Sequence, residues 1–168
     1  IERGLDTRVF HGVTVQSAAS SLTGLQNYRF GKAVTLPFPY AHGGGDVPGS
    51  VIETVEANRD RGLHTLVYLD IKVGTGPHGP DPEHEEYMRA SHAAELLAEP
   101  LEDQLGVVVA RAGAPDPIVA ADRLSALATR DFGDPLHAIV LPGDLHHVEA
   151  EALVGLADAP PALVTDAE

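Results

Sequence analysis

Apolar residues recur along this chain with two periods, and the alternation between them predicts strands and helices in turn. Residues 65–71, 106–111 and 137–141 are short and almost continuously apolar. Runs of that kind suit central strands buried on both faces of a sheet. Shorter strands are expected at residues 6–10, which alternate and end at His11-Gly12, and at residues 33–37. Helical spacing fills the intervals. Thr14 is placed to cap a helix whose inner side is Val15, Ala18, Ala19, Leu22 and Leu25. The small residues Ser17 to Ser20 would let that helix approach another element closely. Ser50-Val51-Ile52-Glu53 reads as a capping box ahead of an apolar face at Val51, Ile52 and Val55, with Gly62 as the stop. Residues 83–104 carry helical spacing through Tyr87, Ser91, Ala94, Leu97 and Leu101, with a break or kink expected at Pro100. The acids from Glu83 to Glu86 would be the solvated start of that helix. Asp116-Pro117 reads as the start of a helix with Ile118, Leu124 and Leu127 inward. A last amphipathic helix is expected at residues 148–156. Residues 41–49 and 74–82 are rich in Gly and Pro and read as connections. Strands alternating with helices imply an α/β sheet covered on both faces.

Ligands in such sheets usually sit beyond the carboxyl ends of the strands. Three segments fit that position: Leu69-Asp70-Ile71-Lys72, Ala110-Arg111-Ala112-Gly113, and the turn Gly12-Val13-Thr14-Val15. Strand ends carry such residues in many domains, so spacing alone leaves open whether a ligand binds there.

Charge adds a constraint. The 25 acidic residues outnumber the 11 basic ones, a formal net charge of −14, and the field this creates disfavours nonspecific binding to nucleic acid. The acids are spread along the chain and only Lys32 and Lys72 are lysines. Diffuse acidity with scarce lysine favours adaptation to concentrated salt over a single patch for a basic partner. With no cysteine in the sequence, disulfides, thiolate metal sites and Cys nucleophiles are excluded, and a cytoplasmic location fits. No apolar run approaches the roughly 18 residues of a membrane span. The opening Ile1-Glu2-Arg3-Gly4 reads as the last turn of a helix, so the natural protein is expected to continue upstream.

Other chemistries find little support. His78 and His84 flank Asp81, and His146-His147 precede Glu149 and Glu151, but adjacent histidines rarely aim at one ion and no H-E-x-x-H spacing occurs. No functional metal is expected. There is no G-x-S-x-G elbow and no Walker motif, and Gly74-Thr75-Gly76 lacks the third glycine of a dinucleotide turn.

An ordered set of strings resembles the archaeal diphthine synthases, a family in the tetrapyrrole-methylase-like class of methyltransferases. They are Tyr28-Arg29-Phe30-Gly31-Lys32, Arg61-Gly62-Leu63-His64-Thr65-Leu66 with Leu69-Asp70-Ile71-Lys72, and Ala110-Arg111-Ala112-Gly113. Asp131-Phe132-Gly133-Asp134-Pro135 with His137, Leu141-Pro142-Gly143 with Leu145-His146, and Val148-Glu149-Ala150-Glu151 follow. The resemblance implies two α/β domains with S-adenosyl-L-methionine in the cleft between them. Residues 1–12 would end the first domain, and residues 13–168 would form the second, a mixed sheet with helices on both faces. It places cofactor contacts on Thr14, Val15, Leu69, Ala112 and His137, and identifies no catalytic base. It implies a homodimer that methylates a modified histidine of translation elongation factor 2. The family often has Ser-Ile where this chain has Thr14-Val15, and residues 74–82 depart most from its pattern. The glycine-rich first turn and the Gly-Asp-Pro segment that belong to the family's N-terminal region have no counterpart in this sequence, so the chain alone is expected to be inactive. A tetrapyrrole methyltransferase of the same fold, or a noncatalytic α/β dimerisation module, are the alternative readings.

Overall fold

The computed structural model describes residues 8–43 and 45–165. The elements among them are α1 (Val15–Thr23), β1 (Val34–Leu36), α2 (Gly49–Arg59), β2 (Thr65–Leu69), β3 (Ile71–Gly76), β4 (Gly79–Tyr87), α3 (Ala90–Ala98), β5 (Leu105–Ala110), β6 (Ile118–Arg123), α4 (Leu124–Leu127), β7 (His137–Leu141) and α5 (His147–Ala157). The strand expected at residues 6–10 falls partly outside the described residues, and residues 8–14 belong to no helix or strand.

Five strands form one mixed sheet in the order β1-β2-β7-β5-β6. β1 and β2 are parallel, and the other neighbours are antiparallel. The three apolar runs of the sequence thus become the three central strands β2, β7 and β5, where neither face meets water. Their side chains alternate between two cores. Val67, Leu69, Val108, Ala110, Ile139 and Leu141 face α2, α3 and α4, joined by Val55, Leu97, Leu124 and Leu127. Leu66, Val107, Val109, Ala138 and Val140 face α1 and α5, joined by Ala19, Leu153 and Ala157. Helices therefore cover both faces, as expected. The small residues of α1 serve close approach to α5. Gly24 ends α1 at φ +74, and a Cβ there would stand 2.5 Å from Ala152 Cβ.

Four local expectations are corrected. The capping box at Ser50 does not form: α2 begins at Gly49 after Pro48, whose fixed φ presets the first turn, and Ser50 already lies inside the helix. The connection at 74–82 and the helix start at Glu83 are instead a hairpin of β3 and β4, a separate two-stranded sheet. β4 pairs on one side only, so Pro80 and Pro82 remove no obligatory ladder bond. The helix that follows is shorter than expected and ends at Ala98, before Pro100, whose ring nitrogen has no N–H to continue the helical hydrogen bonds. Finally, Ile118 to Arg123 is the strand β6, paired with β5 over six consecutive positions. That long pairing outweighs the local helix signal of Asp116-Pro117, and the helix keeps only Leu124 to Leu127.

Candidate functional site

The carboxyl ends of β2 and β5 and the amino end of β7 lie side by side on the sheet, since Ala110 pairs with His137 and Tyr68 with Ala138. A cavity of about 700 Å3 opens there, within the range of roughly 300–1,000 Å3 common for small-molecule sites. Four regions converge on it: Val13 to Val15 at the head of α1, Tyr68 and Leu69 ending β2, Arg111 to Ala114 after β5, and Pro135 to Ala138 opening β7. The β3–β4 hairpin closes one side with Ile71 and Tyr87. Thr14, Val15, Leu69, Ala112 and His137, the five residues singled out from the sequence, all line this one cavity.

Local sequence explains each position. Thr14 is the N-cap of α1: its Oγ1 accepts from Ser17 N–H at 3.4 Å, and Ser17 Oγ accepts from Thr14 N–H at 3.3 Å. This reciprocal box fixes where the helix starts and so where Val15 points. β2 stops at Leu69 because Asp70 turns aside, its Oδ2 accepting from Phe38 N–H at 3.1 Å. β5 ends where Arg111 adopts a left-handed φ of +53 while its N–H still reaches Leu136 O at 2.9 Å.

His137 has both ring nitrogens committed. Nδ1 accepts from Ala90 N–H at 3.1 Å, and Nε2 donates to Asp134 O at 2.9 Å. A nitrogen that accepts an N–H carries no proton, so the ring is neutral with its hydrogen on Nε2. Burial pushes its pKa down, in agreement with that geometry. The ring therefore pins the start of α3 to the start of β7 and is not free to take a proton from a substrate.

The histidines and acids weighed as metal ligands lie elsewhere, and among the described residues no three such side chains converge on one point. Glu149 is fully buried and already takes four donors. Gln26 N–H (2.8 Å) and His64 Nε2 (3.0 Å) reach its Oε1, while His146 N–H (2.9 Å) and Arg29 Nη1 (3.0 Å) reach its Oε2. His64 Nδ1 accepts from Gly143 N–H at 3.0 Å, so that ring is also neutral, and burial lowers its pKa. Three of the resembling strings, around Arg29, His64 and Glu149, thus meet in one internal cluster. Their part is to join the turn Asn27–Arg29, the start of β2 and the head of α5.

Sequence reasoning missed the contributions of Tyr68, Met88 and Leu136 to the cavity, and the side chain of Arg111. Arg111 stood inside a segment chosen for its backbone. Its side chain was open to detection as a cation at an otherwise apolar strand end.

Fold and site together define a class: a mixed α/β domain with helices on both faces and a small-molecule cavity at its strand ends. Within that class the chain is similar to the diphthine synthases over nearly its whole length. It is 79% identical over 165 residues to the diphthine synthase of Halorubrum lacusprofundi, covering 98% of this chain and 62% of that protein. It is 70% identical over 164 residues to that of Natronomonas pharaonis, covering 98% and 61%. A crystal structure of diphthine synthase superposes with a TM-score of 0.79 at 36% identity, over 97% of this chain and 59% of that one. No protein-family model matches the chain. The chain spans about three fifths of the length of these relatives.

Proposed function

We propose that this chain is the C-terminal part of a diphthine synthase, a methyltransferase that uses S-adenosyl-L-methionine to methylate the modified histidine of translation elongation factor 2. Residues 1–12 would end the first domain and residues 13–168 would form the second, and the whole protein would work as a homodimer. The meeting of Thr14, Val15, Leu69, Ala112 and His137 on one cavity is the observation that supports this most directly. The resemblance points to those residues independently of the geometry. High identity to proteins named for this activity supports the substrate.

The residues present fit the cofactor. Val13, Val15, Leu69 and Ala112 offer apolar surface to a nucleoside, and Arg111 presents a buried Nε without a partner among the described residues. The cofactor supplies an electrophilic methyl carbon on a sulfonium, so no covalent enzyme nucleophile is needed. The task of this chain is alignment and exclusion of water. Thr14 and Val15 hold one wall through the fixed start of α1, and Leu69 and Ala112 the wall formed by β2 and β5. His137 holds the geometry of the amino end of β7. Since its ring is committed on both sides, it takes no part in removing the proton of the attacking amine. Asp70 is likewise engaged, with Phe38 N–H and with Lys72 Nζ at 3.0 Å.

The test is methyl transfer by the whole protein from labelled S-adenosylmethionine to elongation factor 2 carrying the aminocarboxypropyl-histidine. Label is expected on that protein. Label on a tetrapyrrole and none on the factor would favour the alternative methyltransferase.

A further inference from the structure

We propose that Arg111 forms a carboxylate-binding subsite in the strand-end cavity, taking the amino-acid end of a bound ligand. This rests on the methyltransferase reading above. Among the described residues lining the cavity, Arg111 is the one Lys or Arg, and no Asp or Glu stands with it there. Its neighbours on the wall, Ile71, Ala112, Leu136 and Val15, are apolar, and the neutral ring of His137 adds no charge. A cation beside so much apolar surface is weakly solvated, which strengthens its attraction for an anion.

The guanidinium is held but not saturated. Nη2 donates to the Asp116 carbonyl at 3.0 Å and lies 3.1 Å from Asp116 Oδ2. The Asp116 side chain is 71% exposed, so water screens its charge and it neutralises Arg111 poorly. Nε is buried and has no hydrogen-bond partner among the described residues. Nε is sealed off from the cavity, whereas Nη1 has no acceptor among the described residues and is the donor a bound carboxylate would meet. Asp116 thus fixes the plane of the guanidinium while its remaining donors stay available. Arginine is suited to this because its planar fork matches a carboxylate. Arg111 follows the end of β5 directly and precedes Ala112, the position assigned to the cofactor, and both line the cavity.

Two carboxylates of the same chemistry are candidates: the amino-acid end of the cofactor, and the aminocarboxypropyl group of the modified histidine. Calorimetric titration of the whole protein separates them. The ligands are S-adenosylhomocysteine and methylthioadenosine, which keeps the nucleoside but lacks the amino-acid end. In Arg111→Gln, loss of one charge-assisted contact should weaken S-adenosylhomocysteine by about tenfold to a hundredfold and leave methylthioadenosine unchanged. Arg111→Lys should recover part of the loss. That result places the cofactor's carboxylate on Arg111. If both nucleosides bind unchanged but KM for the elongation factor rises about tenfold at constant kcat, Arg111 holds the substrate's carboxylate. Equal weakening of both nucleosides would show that Arg111 only staples the loop to Asp116 and would overturn the proposal. So would no change in any of the three. An unaltered protein that binds neither nucleoside would overturn the methyltransferase reading itself.

Discussion

The buried carboxylate of Glu149 is matched donor by donor, and it shows what that implies for stability. Burial alone raises the pKa of its carboxyl, but amide donors from Gln26 and His146 and the His64 ring outweigh burial and hold it below the ordinary value. A depressed carboxylate pKa adds stability that is present above the unfolded value of 4.5 and is lost as pH falls through the folded value. His64 and His137 act in the same direction for a different reason. Both are held neutral, so the unfolded chain binds more protons than the folded one as pH drops below 6.5. Unfolding by urea at pH 7.5, 6.0 and 4.0 should therefore give falling midpoints. Glu149→Gln should lower stability at pH 7.5 by about 3–5 kcal/mol, the usual effect of breaking a buried ionic cluster, and should flatten the acid limb. A variant as stable as the unaltered chain would show that the cluster is not a structural lock. None of this was legible in the sequence. Arg29, His64 and Glu149 are far apart along the chain, and each looked ordinary in its own string.

At the scale of elements, legibility followed the apolar pattern. β2, β5 and β7 were readable because a central strand must be apolar on both faces. The α1 cap was readable because Thr14 meets its partners within three residues. The β3–β4 hairpin was not, since its period-two pattern is written in acids and prolines with little apolar residue to mark a buried face. The partner that holds it lies elsewhere: Met88 N–H reaches Asp70 O at 3.0 Å, and Tyr40 donates to Glu86. Burial, and then that last contact, raises the Tyr40 pKa to about 12. β6 was misread because strand pairing with β5 is a long-range gain, whereas Asp116-Pro117 is a local signal. The cavity was legible in part for the same reasons. The ends of β2 and β5 and the cap of α1 could be located, but the hairpin wall at Ile71 and Tyr87 could not.

For the whole molecule, the net charge of −14 is large for 168 residues. Among the described residues no helix is long and apolar enough to cross a membrane. Close pairs such as Arg130–Asp122 and Lys72–Asp70 engage only a few of the acids. The rest repel one another until salt screens them, within about 3 Å at 1 M. Thermal midpoints should rise from low to molar potassium chloride. Equal or falling midpoints would contradict the reading of the acidity as adaptation to salt. The central claim is that the strand-end cavity holds the cofactor. Titrating the whole protein with S-adenosylhomocysteine, unaltered and as Ala112→Trp, tests it most directly. Clear binding is expected for the unaltered protein and loss of it in the variant, with the thermal midpoint retained. Unchanged binding by Ala112→Trp would place the cofactor elsewhere.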